Sequence, residues 1–190
     1  MKRIFTAIDI SDEARAKAAN YINGLRDEFS QIRVGWERAE KLHLTMKFLG
    51  DIDELQLENL IRAVGNTTKQ ISDFRLQISG TGVFPSSRKA RILWLGLKDD
   101  AGELQKLNEI LEAECEQIGF AREQRNFKPH LTIARLREPH KSKELVQKHL
   151  ENEFESVEFP VSEIAIYESR LQKTGSLYQV ISRLEFKGSS

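Results

Sequence analysis

His43-Leu44-Thr45 and His130-Leu131-Thr132 are the residues whose types and spacing point most directly to chemistry. Each places an imidazole and a hydroxyl two positions apart, and on a strand positions i and i+2 face the same way. Leu44 and Leu131 then turn into the core. Only seven of the 190 residues are threonine, so finding Thr two places after two of the four histidines has a chance probability on the order of one in a hundred. The repeat is therefore a signal. Two imidazoles supply a base for water and an acid for a departing atom, while two hydroxyls can donate to charge that develops on a reacting group. Histidine suits both proton roles because its ordinary pKa of about 6.5 lets one ring be neutral and the other cationic near neutrality.

A lone histidine on an apolar strand is more often a core residue held by a hydrogen bond than a catalyst. The pair, inside a larger repeat, favours catalysis by His43 and His130, with Thr45 and Thr132 binding substrate. No metal is expected, because the chain has no HExxH helix, no cysteine pair and no carboxylate at ligand spacing near either motif. No cofactor is expected either. His140 and His149 lack a Thr partner and fall in or before a polar helix, which predicts solvated roles. Phe48 and Arg135 each follow a motif histidine by five residues and are candidates to contact a substrate by stacking and by charge. Strict alternation puts i+5 on the opposite face, so a bend must turn them into the site. For Phe48 the core is the favoured place. Arg88, Lys89 and Arg91 form a small basic cluster that a solvated loop explains as well as an RNA contact does.

The elements needed to position these residues can be read from periodicity. Arg3–Ile10 reads as a strand, and Ser11 with Asp12 and Glu13 opens a helix whose apolar face is Ala14, Ala18, Tyr21, Ile22, Leu25 and Phe29. A short strand at 33–36 and the His43 strand follow. Gly50-Asp51 is expected to turn the chain into a helix ending before Gly65, and 74–79 is the next strand. Gly80 to Lys89, with its Gly, Pro and Ser, reads as a loop and the internal boundary. The order then returns: a strand at 91–97, a helix from Asp100 to Gly119, the His130 strand and a helix over 144–150. His130 lies 87 positions after His43, and the same shift carries Phe5 to Ile92. The expected organisation is one bilobal unit over 1–190 with an internal repeat, about 1–80 and about 91–190. Three further strands lie in the tail, and 187–190 should fray.

Composition bounds the partners. Lys+Arg and Asp+Glu are both 29, so no broad basic field exists and any nucleic acid must be gripped locally. The single Cys115 sits at an apolar helical position, as an inert buried thiol in a reducing compartment would. With no apolar run of signal-peptide or membrane-spanning length, a cytoplasmic location is expected, with no membrane and no obligatory protein partner.

The two His-Leu-Thr motifs, the Phe84-Pro85-Ser86-Ser87-Arg88 loop before Arg91–Leu97, and Tyr167–Leu171 together resemble the two-histidine phosphoesterase superfamily. Within it they resemble the bacterial and archaeal RNA 2',3'-cyclic phosphodiesterases, once called 2'-5' RNA ligases. The resemblance runs from the first strand to about Leu184. It implies an α+β, bilobal fold: two pseudo-symmetric halves, each an antiparallel sheet with helices outside, the His-x-Thr strands facing a central cleft. It also implies metal-independent opening of a terminal 2',3'-cyclic phosphate on RNA to a 2'-phosphomonoester, with His43 as proton donor and His130 as acceptor from water. It draws Arg135 into the site. The alternatives are other 2',3'-cyclic or 2'-5' linked nucleotides, ligation, and an RNA-end binding module without turnover. Both motifs being intact disfavours the last.

Overall fold

Nine strands and four helices occupy the residues described by this computed structural model, 1–172 and 175–188. β1 (Lys2–Asp9) leads into α1 (Asp12–Glu28), whose cap is Ser11, its hydroxyl accepting the Ala14 N–H at 3.2 Å. Next come β2 (Val34–Trp36), β3 (His43–Ile52), α2 (Glu54–Thr68) and β4 (Phe74–Phe84). The second half runs β5 (Ile92–Lys98), α3 (Glu103–Gln117), β6 (His130–Leu136), α4 (Lys143–Glu151), β7 (Val157–Val161), β8 (Glu163–Gln172) and β9 (Gly175–Glu185).

The fold is α+β, built on two antiparallel sheets. One has the order β3-β1-β8-β9 and the other β2-β6-β5-β4-β7. Neither sheet is made from one half of the sequence: β2 and β4 join the sheet of the second motif, and β8 and β9 join that of the first. Helices follow the same exchange. α2 and α3 pack together beneath the first sheet, and α1 and α4 cover the second, through α1 on β7 and α4 on β4. Leu44 and Leu131, 1% and 0% exposed, anchor the two motif strands, each burial contributing about 1.5–3 kcal/mol. Cys115 is buried, and burial pushes its thiol up to about 12. Among the described residues no helix is long and apolar enough to cross a membrane.

Several boundaries differ from the sequence reading. β3 does not turn at Gly50-Asp51 but continues to Ile52, paired with β1; the helix waits for Asp53, which forms a capping box with Gln56. α2 then passes through Gly65 to Thr68. Gly80, Thr81 and Gly82 are strand, not loop, because β4 bulges past β5 between Ile78 and Thr81, with Gly80 at φ +75° absorbing the kink. Lys187 is tied down, its N–H donating to Thr68 and Ile71 carbonyls, next to buried Phe186; 189–190 lie outside the described residues.

Candidate active site

The site is built by two strand pairs whose registers repeat. On β1 and β3, Asp9 opposes His43, Ala7 opposes Thr45 and Phe5 opposes Phe48. On β5 and β6, Gly96 opposes His130, Trp94 opposes Thr132 and Ile92 opposes Arg135. Every pair in the second set is the first shifted by 87. Each set contains the same irregularity: one extra residue, Met46 or Ile133, just after the threonine. Directly opposed residues share a face, and Phe5, Ala7 and Asp9 alternate along one face of β1. The bulge therefore rotates i+5 onto the face of the histidine. Phe48, expected in the core, is 69% exposed and leans over Phe5 at 5.7 Å; the opposite-face reading failed because alternation breaks at the bulge. Arg135 is exposed on the face of His130 and Thr132.

The two motif strands also meet in space, β3 packing against β6 across the sheets. The Glu37 N–H donates to Ile133 O at 2.9 Å, so the segment leaving β2 holds the bulge of one motif just before it enters the other. Tyr178 of β9 stands edge-on to His43 at 5.4 Å, and burial raises its pKa while the charge of Arg135 opposes the rise.

Both imidazoles are held alike. Nδ1 of His43 lies 2.7 Å from Lys41 O, and Nδ1 of His130 lies 2.7 Å from Lys128 O. A carbonyl only accepts, so the Nδ1 proton is fixed and Nε2 carries the lone pair of each neutral ring. In His43 that nitrogen accepts the Thr45 hydroxyl at 3.0 Å. Burial lowers both pKa values, opposed at each ring by the carbonyl contact. The remaining charges differ: Asp9 supports the proton on His43 against Arg15, whereas Arg135 opposes the proton on His130. Among the described residues no three His, Cys, Asp or Glu side chains gather to ligate a metal ion.

Comparison with known proteins decides the family. The profile of the 2'-5' RNA ligase superfamily matches residues 14–173. The chain belongs to that superfamily. An RNA 2',3'-cyclic phosphodiesterase of Thermotoga maritima is 31% identical over 187 residues, 98% of this chain and 96% of the relative. One from Methanothermobacter thermautotrophicus is 31% identical over 93% of this chain and 94% of its own. Among solved structures, E. coli LigT complexed with 3'-AMP matches with a TM-score of 0.78 at 24% identity, over 98% of each chain. A protein of Thermus thermophilus matches at 0.80 and 24%, covering 99% of this chain and 100% of that one. These structures share the fold.

Around the histidines of this superfamily member lie residues that motif reading missed. Phe5 stacks on His43 at 5.0 Å and on Tyr167 at 5.2 Å; the Tyr167 hydroxyl donates to Asp9 at 2.7 and 2.8 Å, and Arg183 pairs with the same carboxylate at 2.8 Å. Phe84 stands edge-on to His130 at 4.8 Å, with Trp94 beside it at 6.3 Å. His149 corrects an expectation. It is fully buried, its Nε2–H donating to Gly82 O at 3.0 Å and Trp94 O at 3.2 Å while Nδ1 accepts the Tyr21 hydroxyl at 2.9 Å. The helical spacing of Leu145, Val146 and His149 on the inner face of α4 was the available signal. His140 is exposed.

Proposed function

We propose that the chain is an RNA 2',3'-cyclic phosphodiesterase, hydrolysing a terminal 2',3'-cyclic phosphate to a 2'-phosphomonoester with His43 and His130 as the catalytic pair. One observation carries the reading: two His-x-Thr strands in the same register, each with its imidazole Nδ1 fixed on a carbonyl and Nε2 left to work. His130, whose proton is opposed by Arg135, accepts a proton from water at Nε2. The water oxygen bonds to phosphorus as the bond from phosphorus to the ribose 3' oxygen breaks, and His43, supported by Asp9, gives that oxygen its proton. Thr45 and Thr132 donate to the non-bridging oxygens, the Thr45 hydroxyl rotating from His43 to the phosphate. Arg135 holds phosphate and exposed Phe48 stacks on the terminal base. No metal or cofactor enters these steps. The same reading takes 1–190 as one bilobal unit grown from a repeat offset by 87, working in the reducing cytoplasm that a lone buried thiol suits.

The test is turnover of 2',3'-cyclic nucleotides by His43→Ala, His130→Ala and the double variant, with and without excess chelator. Each single change should lower kcat roughly 10²- to 10⁴-fold, and the double change should cost far less than their product, because the two groups act in one transition state. Chelator should change nothing. Near-full turnover by either single variant would sink the proposal.

A further inference from the structure

β6 runs past Arg135 to a second group of cations that the hydrolytic steps leave unused. The Leu136 N–H donates to Arg91 O at 2.9 Å and the Arg137 N–H to Arg33 O at 3.3 Å, while Gly35 of β2 lies opposite Arg135. Backbone pairing thus gathers Arg33, Arg91, Arg135 and Arg137 around the end of the strand that begins with His130. All four are exposed, and none forms an ion pair among the described residues. The acid beside them, Glu138, is engaged by Lys141 at 2.7 Å, and Arg33 is the weakest of the charges acting on it.

Gly35 shows where Arg137 points. A Cβ at Gly35 would stand 3.2 Å from Arg137 Nε and 3.3 Å from Nη2, so the guanidinium lies over the glycine. Gly35 and Arg135 are directly opposed and share a face, which is also that of Thr132 and His130. Arg137 therefore folds back onto the site face, continuing the line of donors from Thr132 through Arg135 and away from the histidines. A side chain at position 35 would block that path.

We infer that Arg137, flanked by Arg33, which lies opposite it on the same face, is a second phosphate subsite, which holds the internucleotide phosphodiester on the 5' side of the terminal ribose. The inference rests on the reaction proposed above. Planar guanidinium forks match phosphate oxygens in pairs. In a chain of zero net charge, unpaired cations on the reactive face are what can grip RNA, because no long-range field does so. The substrate class is therefore an RNA end of at least two nucleotides, held at two phosphates, rather than a cyclic mononucleotide.

The test compares kcat/KM for a dinucleotide ending in 2',3'-cyclic phosphate with that for a 2',3'-cyclic mononucleotide. The wild-type protein should favour the dinucleotide. Arg137→Ala should lower the dinucleotide value about 10- to 100-fold, the loss of a charge-assisted contact, and leave the mononucleotide unchanged within about twofold. Arg137→Lys should recover part of the loss. Replacing the one internucleotide phosphate with a neutral methylphosphonate should remove both the preference and the effect of Arg137→Ala. Equal losses on both substrates, no loss on the dinucleotide, or an undiminished loss on the methylphosphonate would overturn the subsite. If the wild-type protein cleaves neither substrate, the assigned reaction fails instead, and binding decides the subsite alone. A dinucleotide with a 3'-phosphate should then bind tighter than its methylphosphonate form to the wild type but not to Arg137→Ala; equal binding of the two forms by the wild type would overturn it.

Discussion

Asp9 faces His43 across β1 and β3, whereas Gly96, with no side chain, takes the equivalent place opposite His130. At i+5 the contrast reverses in kind: Phe48 beside the first histidine, Arg135 beside the second. Two motifs of identical local sequence thereby acquire different electrostatics, a carboxylate favouring the imidazolium of His43 and a guanidinium disfavouring that of His130. The sign of each perturbation follows. Asp9→Asn removes support for the proton on His43, so with His43 in the proposed acid role the basic limb of kcat/KM should move to lower pH while the acidic limb stays. Arg135→Met lifts the opposition to a proton on His130, so the acidic limb should move up. Because burial lowers both rings, the wild-type maximum should lie below pH 6.5, the limbs being macroscopic values of a coupled pair. A profile in which Asp9→Asn moves the acidic limb, or neither, would reverse the roles or remove them. The motif residues were legible because period-two spacing puts them on one face. Asp9 and Gly96 were not, since a cross-strand partner is fixed by register, although the shift of 87 that links them is written in the chain.

At the scale of elements, both misread features near the site come from one device. Bulges after Thr45 and Thr132 and between Ile78 and Thr81 interrupt the alternation from which faces and strand ends are inferred, and Gly82, read as loop, is a sheet position that meets an aromatic ring. A Cβ at Gly82 would stand 2.1 Å from the Trp94 ring, which backs Thr132 and His130. Gly82→Ala should cost about 1–3 kcal/mol by overpacking, seen as a lower urea midpoint, and should lower kcat/KM as Trp94 is pushed toward His130. A variant with unchanged midpoint and activity would show that the contact yields freely. His149 ties the same strands to α4. Its pKa is lowered, chiefly by burial, so below pH 6.5 the unfolded chain binds a proton that the folded one resists, and stability falls as pH drops toward the folded value. His43 and His130 act in the same direction. His149→Gln should therefore flatten, without abolishing, the loss of stability below pH 6.5, by up to about 1.4 kcal/mol per pH unit. An unchanged slope would mean that the ring keeps its ordinary pKa when folded.

For the whole molecule, periodicity gave nearly every element and a constant offset gave the repeat pattern, but not which sheet each strand joins. β4 and β8 pair in the sheet of the other motif, an exchange decided through space that leaves no mark on alternation. The buried pair Lys47–Glu112 was likewise invisible, since a lysine in an apolar strand and a glutamate on a helix face each read as surface. Their contact is 2.6 Å, with side chains 5% and 10% exposed. Lys47 also donates to Ala121 O at 2.9 Å, Glu112 accepts the Glu123 N–H at 3.1 Å, and Asn108 donates to Met46 O at 3.4 Å. This network joins the bulge of the first motif to α3 and to the segment that leads into His130. Glu112→Gln leaves a buried ammonium without its counter-charge and should cost about 3–5 kcal/mol, whereas Lys47→Met with Glu112→Leu should restore much of the stability, because apolar pairs of similar volume replace buried ion pairs at little cost. Turnover should separate the two effects. If the network sets the bulge that aligns Thr45 with Phe48, the double variant should regain its urea midpoint yet keep a reduced kcat, with a pH profile still shaped by both histidines. Full recovery of kcat with the midpoint would mean that the pair only stabilises the fold and that the bulge holds its register without it.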